Sequence, residues 1–134
     1  NQKAYDNVDY IDMVFFVEDL GIPTTEYILS EGFNNGTGVG WTDYHVELGF
    51  GTGGAFVAST TGDGLDFDAP DQNSPYVFAP FTTVTINEDT IDAVDGIVAP
   101  GGFYTFVFPS TSRTVSPSSR FGSIPPSHRF PTRK

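Results

Sequence analysis

The sequence predicts an all-β fold, an antiparallel β-sandwich of the jelly-roll or immunoglobulin-like type, followed by an extended C-terminal tail. The 134 residues include 13 Phe and 6 Tyr, a load of aromatic side chains that favours pleated strands over helices. The 15 Gly and 10 Pro interrupt the chain at short intervals, as turns between short strands do. No stretch repeats its apolar residues with the helical period of about 3.6. Short strands separated by Gly and Pro turns are typical of sandwiches and barrels.

The clearest strand covers residues 41–50. Tyr44, Val46, Leu48 and Phe50 alternate with polar residues or glycine, the pattern of a strand with one buried face. The other candidates bring the total to about nine and are residues 10–17, 26–29, 55–59, 65–67, 76–78, 82–86, 96–99 and 103–108. The Gly-rich stretch 32–40 is expected to be a loop.

The charge divides the chain into two parts. The net charge is −11, but residues 1–112 hold all seventeen acidic residues and one Lys, which gives −16, whereas residues 113–134 carry +5. Residues 109–134 also contain five Pro and seven Ser. We therefore predict a sandwich domain over 1–108 and an extended, basic, Pro/Ser-rich tail over 109–134.

The tail is predicted to mediate contacts between copies of the chain. Fully extended, its 26 residues would reach about 85 Å, beyond one small domain. The predicted contact residues are Arg113, Arg120, Phe121, Ile124, Arg129, Phe130 and Arg133. A basic tail lying on the acidic body of the next copy would propagate head to tail. Residues 10–17 are an alternative donor segment, and folding of the tail onto its own body also stays open.

A series of motifs resembles a known class of exported proteins. The stretch Asn34-Asn35-Gly36-Thr37, followed by Trp41-Thr42-Asp43-Tyr44-His45, and the later segments 64–70 and 92–106 are similar, in order, to secreted bacterial proteins of the PEP-CTERM type over roughly residues 33–108. The resemblance implies an exported β-sandwich of the extracellular matrix or cell surface. Such proteins end in a Pro-Glu-Pro motif, an apolar helix and an Arg cluster, and residues 127–134 do not match these, so anchoring does not follow from the resemblance.

Acidic residues suggest one cofactor, calcium. Asp63, Asp66, Asp68 and Asp71 lie within nine residues, with Asp66 and Asp68 on one face of a predicted strand. Carboxylate oxygens at this density suit Ca²⁺. A solvated acidic surface explains the same pattern.

Two further features concern sugars. Trp41 and Tyr44 present ring faces that would stack on a carbohydrate, although a single Trp in a sandwich strand also suits the core. Asn35-Gly36-Thr37 matches the acceptor pattern for N-glycosylation, which would place Asn35 in an exposed loop. An extracellular polysaccharide is therefore a candidate partner.

The composition excludes several classes of protein. The chain has no Cys, which rules out disulfides, thiolate zinc sites and Cys nucleophiles. An acidic body does not suit nucleic acid, and no apolar run is long enough for a membrane helix. The sequence has no G-x-S-x-G or nucleotide-binding motif, so we predict no enzyme. The function expected is that of an extracellular structural subunit that assembles into a filament, sheath or biofilm matrix. A cell-surface carbohydrate-binding module is the alternative.

Overall fold

The structure, a computed structural model, describes residues 2–7, 11–14, 24–68, 76–113 and 126–130. It confirms the all-β class, with two packed sheets. The strands of the described residues are β1 (Gln2–Tyr5), β2 (Ile11–Val14), β3 (Thr24–Asn35), β4 (Tyr44–Phe50), β5 (Val57–Ala58), β6 (Leu65–Phe67), β7 (Thr83–Ile86), β8 (Thr90–Val94), β9 (Phe103–Arg113) and β10 (Pro126–Phe130). A short 3₁₀ turn, Gly53–Ala55, precedes β5.

The first sheet has the strand order β1-β3-β9-β6, and the second has the order β2-β10-β4-β8-β7, with β5 also paired to β4. The longest ladder of the first sheet joins β3 to β9, from Thr24 opposite Arg113 to Asn34 opposite Phe103. One pair departs from the antiparallel pattern, because β1 runs parallel to β3.

The alternation predicted for the central strand is confirmed in β4. Tyr44, Val46 and Leu48 are buried in the core, whereas His45 and Glu47 are only half-buried. The strand begins at Tyr44 rather than at Trp41, which makes only an isolated bridge to Val98.

Several elements differ from the sequence-based expectation. The strands β1, β8 and β10 were not predicted, and residues 76–78 and 96–99, predicted as strands, form only isolated bridges at Val77 and Val98.

Residues 32–35 were expected to be loop, but they complete β3, because Phe33 and Asn35 point inward and the main chain is paired on both sides. The pattern of β8 is short, with only Ile91 and Ala93 facing the core.

The strand predicted to stop at Phe108 continues as β9 to Arg113, through Pro109. Val107 exchanges both main-chain hydrogen bonds with Val77, on the side of β9 that faces away from β3. Because strand residues two apart point the same way, the nitrogen of Pro109 also faces away from β3. Its missing N–H therefore removes nothing from the β3–β9 ladder, and the strand tolerates the proline.

An aromatic cluster fills the space between the sheets. The ring of Phe106 lies 4.5 Å from Phe33, 4.6 Å from Tyr44 and 4.8 Å from Phe78, measured between centroids. Phe33 and Trp41 stack at 5.7 Å. Full burial of such rings contributes on the order of 2–3 kcal/mol each, so this cluster makes a large contribution to the stability of the sandwich.

Candidate functional site

The basic C-terminal segment enters the body as a central strand of the second sheet. β10 lies between β2 and β4 and is antiparallel to both. Its register places Ser127 opposite Val14 on one side and opposite Gly49 on the other. The position between β2 and β4, here called the strand slot, is therefore filled by a segment of the predicted tail.

The strand slot has one firm wall. On its other side β4 pairs with β8 over Tyr44–Glu47 and with β5 over Gly49–Phe50, so β4 stays in the sheet independently of β10. Leu48 and Gly49 of this wall are buried. A Cβ on Gly49 would contact the Val57 carbonyl oxygen and come within 2.6 Å of the Phe56 ring. Glycine is required here because β5 and Phe56 pass so close.

The second wall of the slot depends on β10 itself. Among the described residues, β10 is the strand that pairs with β2. Met13 of β2 is buried, and Asp12 accepts a hydrogen bond from the N–H of Gly53. β2 therefore lies at the edge of the sheet and joins it through β10.

The predicted contact residues are only partly within the described chain. Arg129 and Phe130 belong to β10, and Arg113 lies at the end of β9 opposite Thr24. The other four lie outside the described residues and are Arg120, Phe121, Ile124 and Arg133.

The two aromatic residues suggested for sugar stacking are inside the molecule. Trp41 is 1% exposed and Tyr44 is 2% exposed. Trp41 stacks on Phe33 and meets Tyr5 edge to face at 5.4 Å, and its Nε1 donates to Thr37 Oγ1 at 3.1 Å. Neither ring offers a face to a sugar, because the aromatic core covers both.

Asn35 is a structural residue rather than an accessible acceptor for a glycan. It is fully buried, and its Nδ2 donates to the carbonyl oxygens of Val39, at 2.7 Å, and Val98, at 2.9 Å. Its Oδ1 accepts from Thr37 Oγ1 at 2.6 Å. The loop after it is exposed as predicted, with the exception of the half-buried Thr37. The prediction that Asn35 itself would be exposed is wrong, because the end of β3 turns it inward.

The four aspartates suggested for calcium are only partly within the described chain. Asp63 is directed at its own turn, where Oδ1 accepts from Ser59 Oγ at 2.9 Å and Oδ2 accepts from the N–H of Thr60 at 2.7 Å. Asp66 lies in β6 and Asp68 just after it, and Asp71 lies outside the described residues. No group of three or more acidic or His side chains in the described part of the chain is arranged to hold a metal ion.

A buried polar cluster was missed at the sequence level. Glu31 is only 5% exposed although its side chain is a carboxylate, because it lies on the core face of β3, in register with Phe106. The hydroxyls of Tyr5 and Tyr44 are 3.5 Å apart. Burial raises the pKa of Tyr5 and raises that of Tyr44 more, and the nearby Glu31 carboxylate acts in the same direction. The alternation of β3 could have indicated Glu31 had residues 32–35 been assigned to that strand.

The outer face of β4 carries a cross-strand hydrogen bond between His45 and a carboxylate. His45 Nδ1 lies 2.6 Å from Asp92 Oδ1 on β8, directly across the strands. The partner of His45 comes from β8, a strand that was not predicted.

The described residues contain no helix with the length and apolar character needed to cross a membrane. In comparisons with known proteins, no family model, no curated protein and no solved structure matches this chain. The case for function therefore depends on the strand slot and on the distribution of charge.

Proposed function

We propose that the protein is an extracellular structural subunit that assembles with copies of itself by exchanging β10 between neighbouring strand slots. The observation that carries the proposal is the place of β10, which pairs through its main chain with β2 and β4 on both sides. A strand held in this way can come from another copy with every contact preserved, as in domain swapping and strand addition.

The chain between the body and β10 is long enough for either arrangement. Twelve residues separate Arg113 from Pro126, and twelve extended residues span at most about 43 Å. That length exceeds the thickness of one sandwich, about 10 Å between sheets. In one state a chain fills its own slot, and in the other it fills the slot of a neighbour. The balance between the two states depends mainly on the entropy of the connecting segment and on the concentration of subunits.

Charge supports the same exchange. The body carries −16 and the segment from residue 113 onward carries +5, so a basic segment is attracted to the acidic body of a neighbour. Exchange from one copy to the next is heterologous, and it builds a ring or an open fibre according to its geometry. The attraction weakens with salt, because exposed charges are screened.

A reversible covalent lock tests the proposal. Val14 and Ser127 are directly opposite, and opposite residues of antiparallel strands lie about 4.5–5.5 Å apart, within the range of a disulfide. Because the native chain has no Cys, Val14→Cys/Ser127→Cys would form one defined bond. We expect the oxidised, monomeric form to stay monomeric under conditions where the reduced form polymerises. Equal polymerisation of both forms, seen by electron microscopy and light scattering, would overturn the proposal.

Mixing single-Cys chains provides the complementary test. Val14→Cys and Ser127→Cys chains, mixed and then oxidised, should give a disulfide-linked heterodimer if β10 is exchanged. Val94→Cys is the matched control for Val14→Cys, because Val94 is an exposed valine of β8 outside the slot. A heterodimer yield no higher than with the control would count against exchange.

A further inference from the structure

The register of β10 places a single cationic position between two acidic ones. Arg129 lies directly opposite Asp12 of β2 and, on the other side, directly opposite Glu47 of β4. Strand neighbours are about 4.8 Å apart, so the two acidic positions face each other across the slot at roughly 10 Å. Directly opposite residues share a face of the sheet.

We propose that Arg129 is the residue that sets the register of β10 and makes the strand slot select a basic strand. The slot thus takes an extended peptide with a cation at this one position. The inference deepens the proposed function and depends on it only for the case in which β10 comes from another copy. Arg129 would set the register of β10 in the same way when the chain fills its own slot.

Alternative registers show why one residue decides the alignment. A slip of one residue turns every side chain to the opposite face and is excluded by the buried face of the sheet. Slips of two residues keep the faces but bring Ser127 or Pro131 opposite Asp12 and Glu47. Neither is charged, so both slips leave the two carboxylates without a cation between them. Of these three registers, the observed one is the register that places a cationic residue opposite both acidic positions.

The empty slot would also repel a competing acidic strand. Asp12 and Glu47 lie on its two walls, and the body around them is strongly acidic. Like charges directly opposite in a sheet are destabilising, and opposite charges are stabilising. The slot therefore discriminates against the acidic strands of its own body, such as β8 with Asp92, and favours β10.

The test is a charge-reversal cycle in the full chain. Arg129→Glu is expected to lower the folding equilibrium constant about fivefold or more, and adding Glu47→Arg should recover about half of that loss in free energy, because the glutamate at position 129 still lies opposite Asp12. Glu47 is the better partner for this cycle, because Asp12 also binds the N–H of Gly53. Arg113→Glu is the matched control, since it changes the charge equally but lies opposite Thr24.

A register-sensitive measurement accompanies the cycle. In the native background the pair Val14→Cys/Ser127→Cys should cross-link in preference to Val14→Cys/Pro125→Cys, which reports a slip of two residues. Arg129→Glu should shift the yield toward the second pair, and Glu47→Arg should shift it back. Equal losses for Arg129→Glu and Arg113→Glu, with no recovery and no change in cross-link preference, would overturn the inference. Because these readouts use monomeric protein, a failure of polymerisation leaves them interpretable.

Discussion

The side chain of Asn35 donates a hydrogen bond to the main-chain carbonyl of Val98, 63 residues further along the chain, at 2.9 Å. The same nitrogen also binds the Val39 carbonyl, and the N–H of Asn35 binds the carbonyl of Gly102. One fully buried amide thus ties the end of β3 to the segments before β4 and before β9. This is the reason the acceptor pattern for glycosylation contains a core residue.

Replacing Asn35 by Ala should destabilise the fold strongly. The change removes the hydrogen bonds from Nδ2 to the buried Val98 carbonyl and to the part-buried Val39 carbonyl, and it removes the Oδ1 acceptor of Thr37. Losing a hydrogen bond at a buried site costs about 1–3 kcal/mol. Asn34→Ala is the matched control, because Nδ2 of Asn34 binds Gly101 at an exposed position. Urea unfolding measures both variants, and similar small losses for the two would contradict the structural role of Asn35.

Asn35 should also stay unmodified when the chain is folded. Both donor positions of its side-chain nitrogen are occupied inside the protein, so a glycan would break these bonds and find no space. Mass spectrometry of protein secreted from a glycosylating host should show no sugar on Asn35. A glycan there, on protein with the native unfolding transition, would disprove the buried arrangement.

Stability should fall steeply in alkaline solution. Burial raises the pKa values of Tyr5 and Tyr44 above the ordinary tyrosine value of about 10, so above pH 10 the unfolded chain loses these protons first. Their contribution is complete below pH 10 and declines as the pH rises toward the folded-state values. Tyr44→Phe should flatten this decline in the free energy of unfolding. An unchanged pH dependence would show that Tyr44 does not cause it.

Asp63→Ala should destabilise the turn before β6 whether or not calcium is present. Its carboxylate accepts hydrogen bonds from Ser59, from the N–H of Thr60 and from the N–H of Leu65. Losing such bonds costs on the order of 1–3 kcal/mol. Thermal unfolding with calcium and with a chelator is the measurement. An effect of the substitution that disappears in chelator would favour the calcium interpretation instead.

Gly49→Ala should weaken the wall of the strand slot. The added methyl group would meet the Val57 carbonyl and the Phe56 ring, and forcing such contacts apart costs about 1–3 kcal/mol. Gly54→Ala is the control, because a Cβ there meets nothing within 4 Å. Equal stability of the two variants would contradict the close approach of β5 to β4.

The sequence predicted what depends on local alternation. Side chains of a strand alternate between its two faces with a period of two, which can be read from the sequence directly. This period predicts which residues of β4 face the core and why half-buried and exposed residues alternate in β7. Position 41 was also suited to the core, because a lone Trp in a sandwich is usually buried, and Trp41 is.

What the sequence did not predict depends on partners distant in the chain. β10 lies in a Pro/Ser-rich segment with no strand pattern of its own, and it is a strand because β2 and β4 supply hydrogen bonds on both sides. Glu31 is buried because β3 continues past it, which the glycines at 32 and 36 concealed. Such cases show tertiary pairing overriding local propensity.

The pairing of β2 with β10 also sets the order in which the protein can be completed. Ile11 and Phe130 are paired although 119 positions separate them, so β2 cannot join its sheet until the chain has been made as far as residue 130. Contacts of such long separation form slowly, because the chain must first close a large loop. During that interval every new chain has an open slot and an unpaired basic strand. If copies exchange β10 as proposed, crowded newly made chains would join more readily than chains that have already finished folding alone.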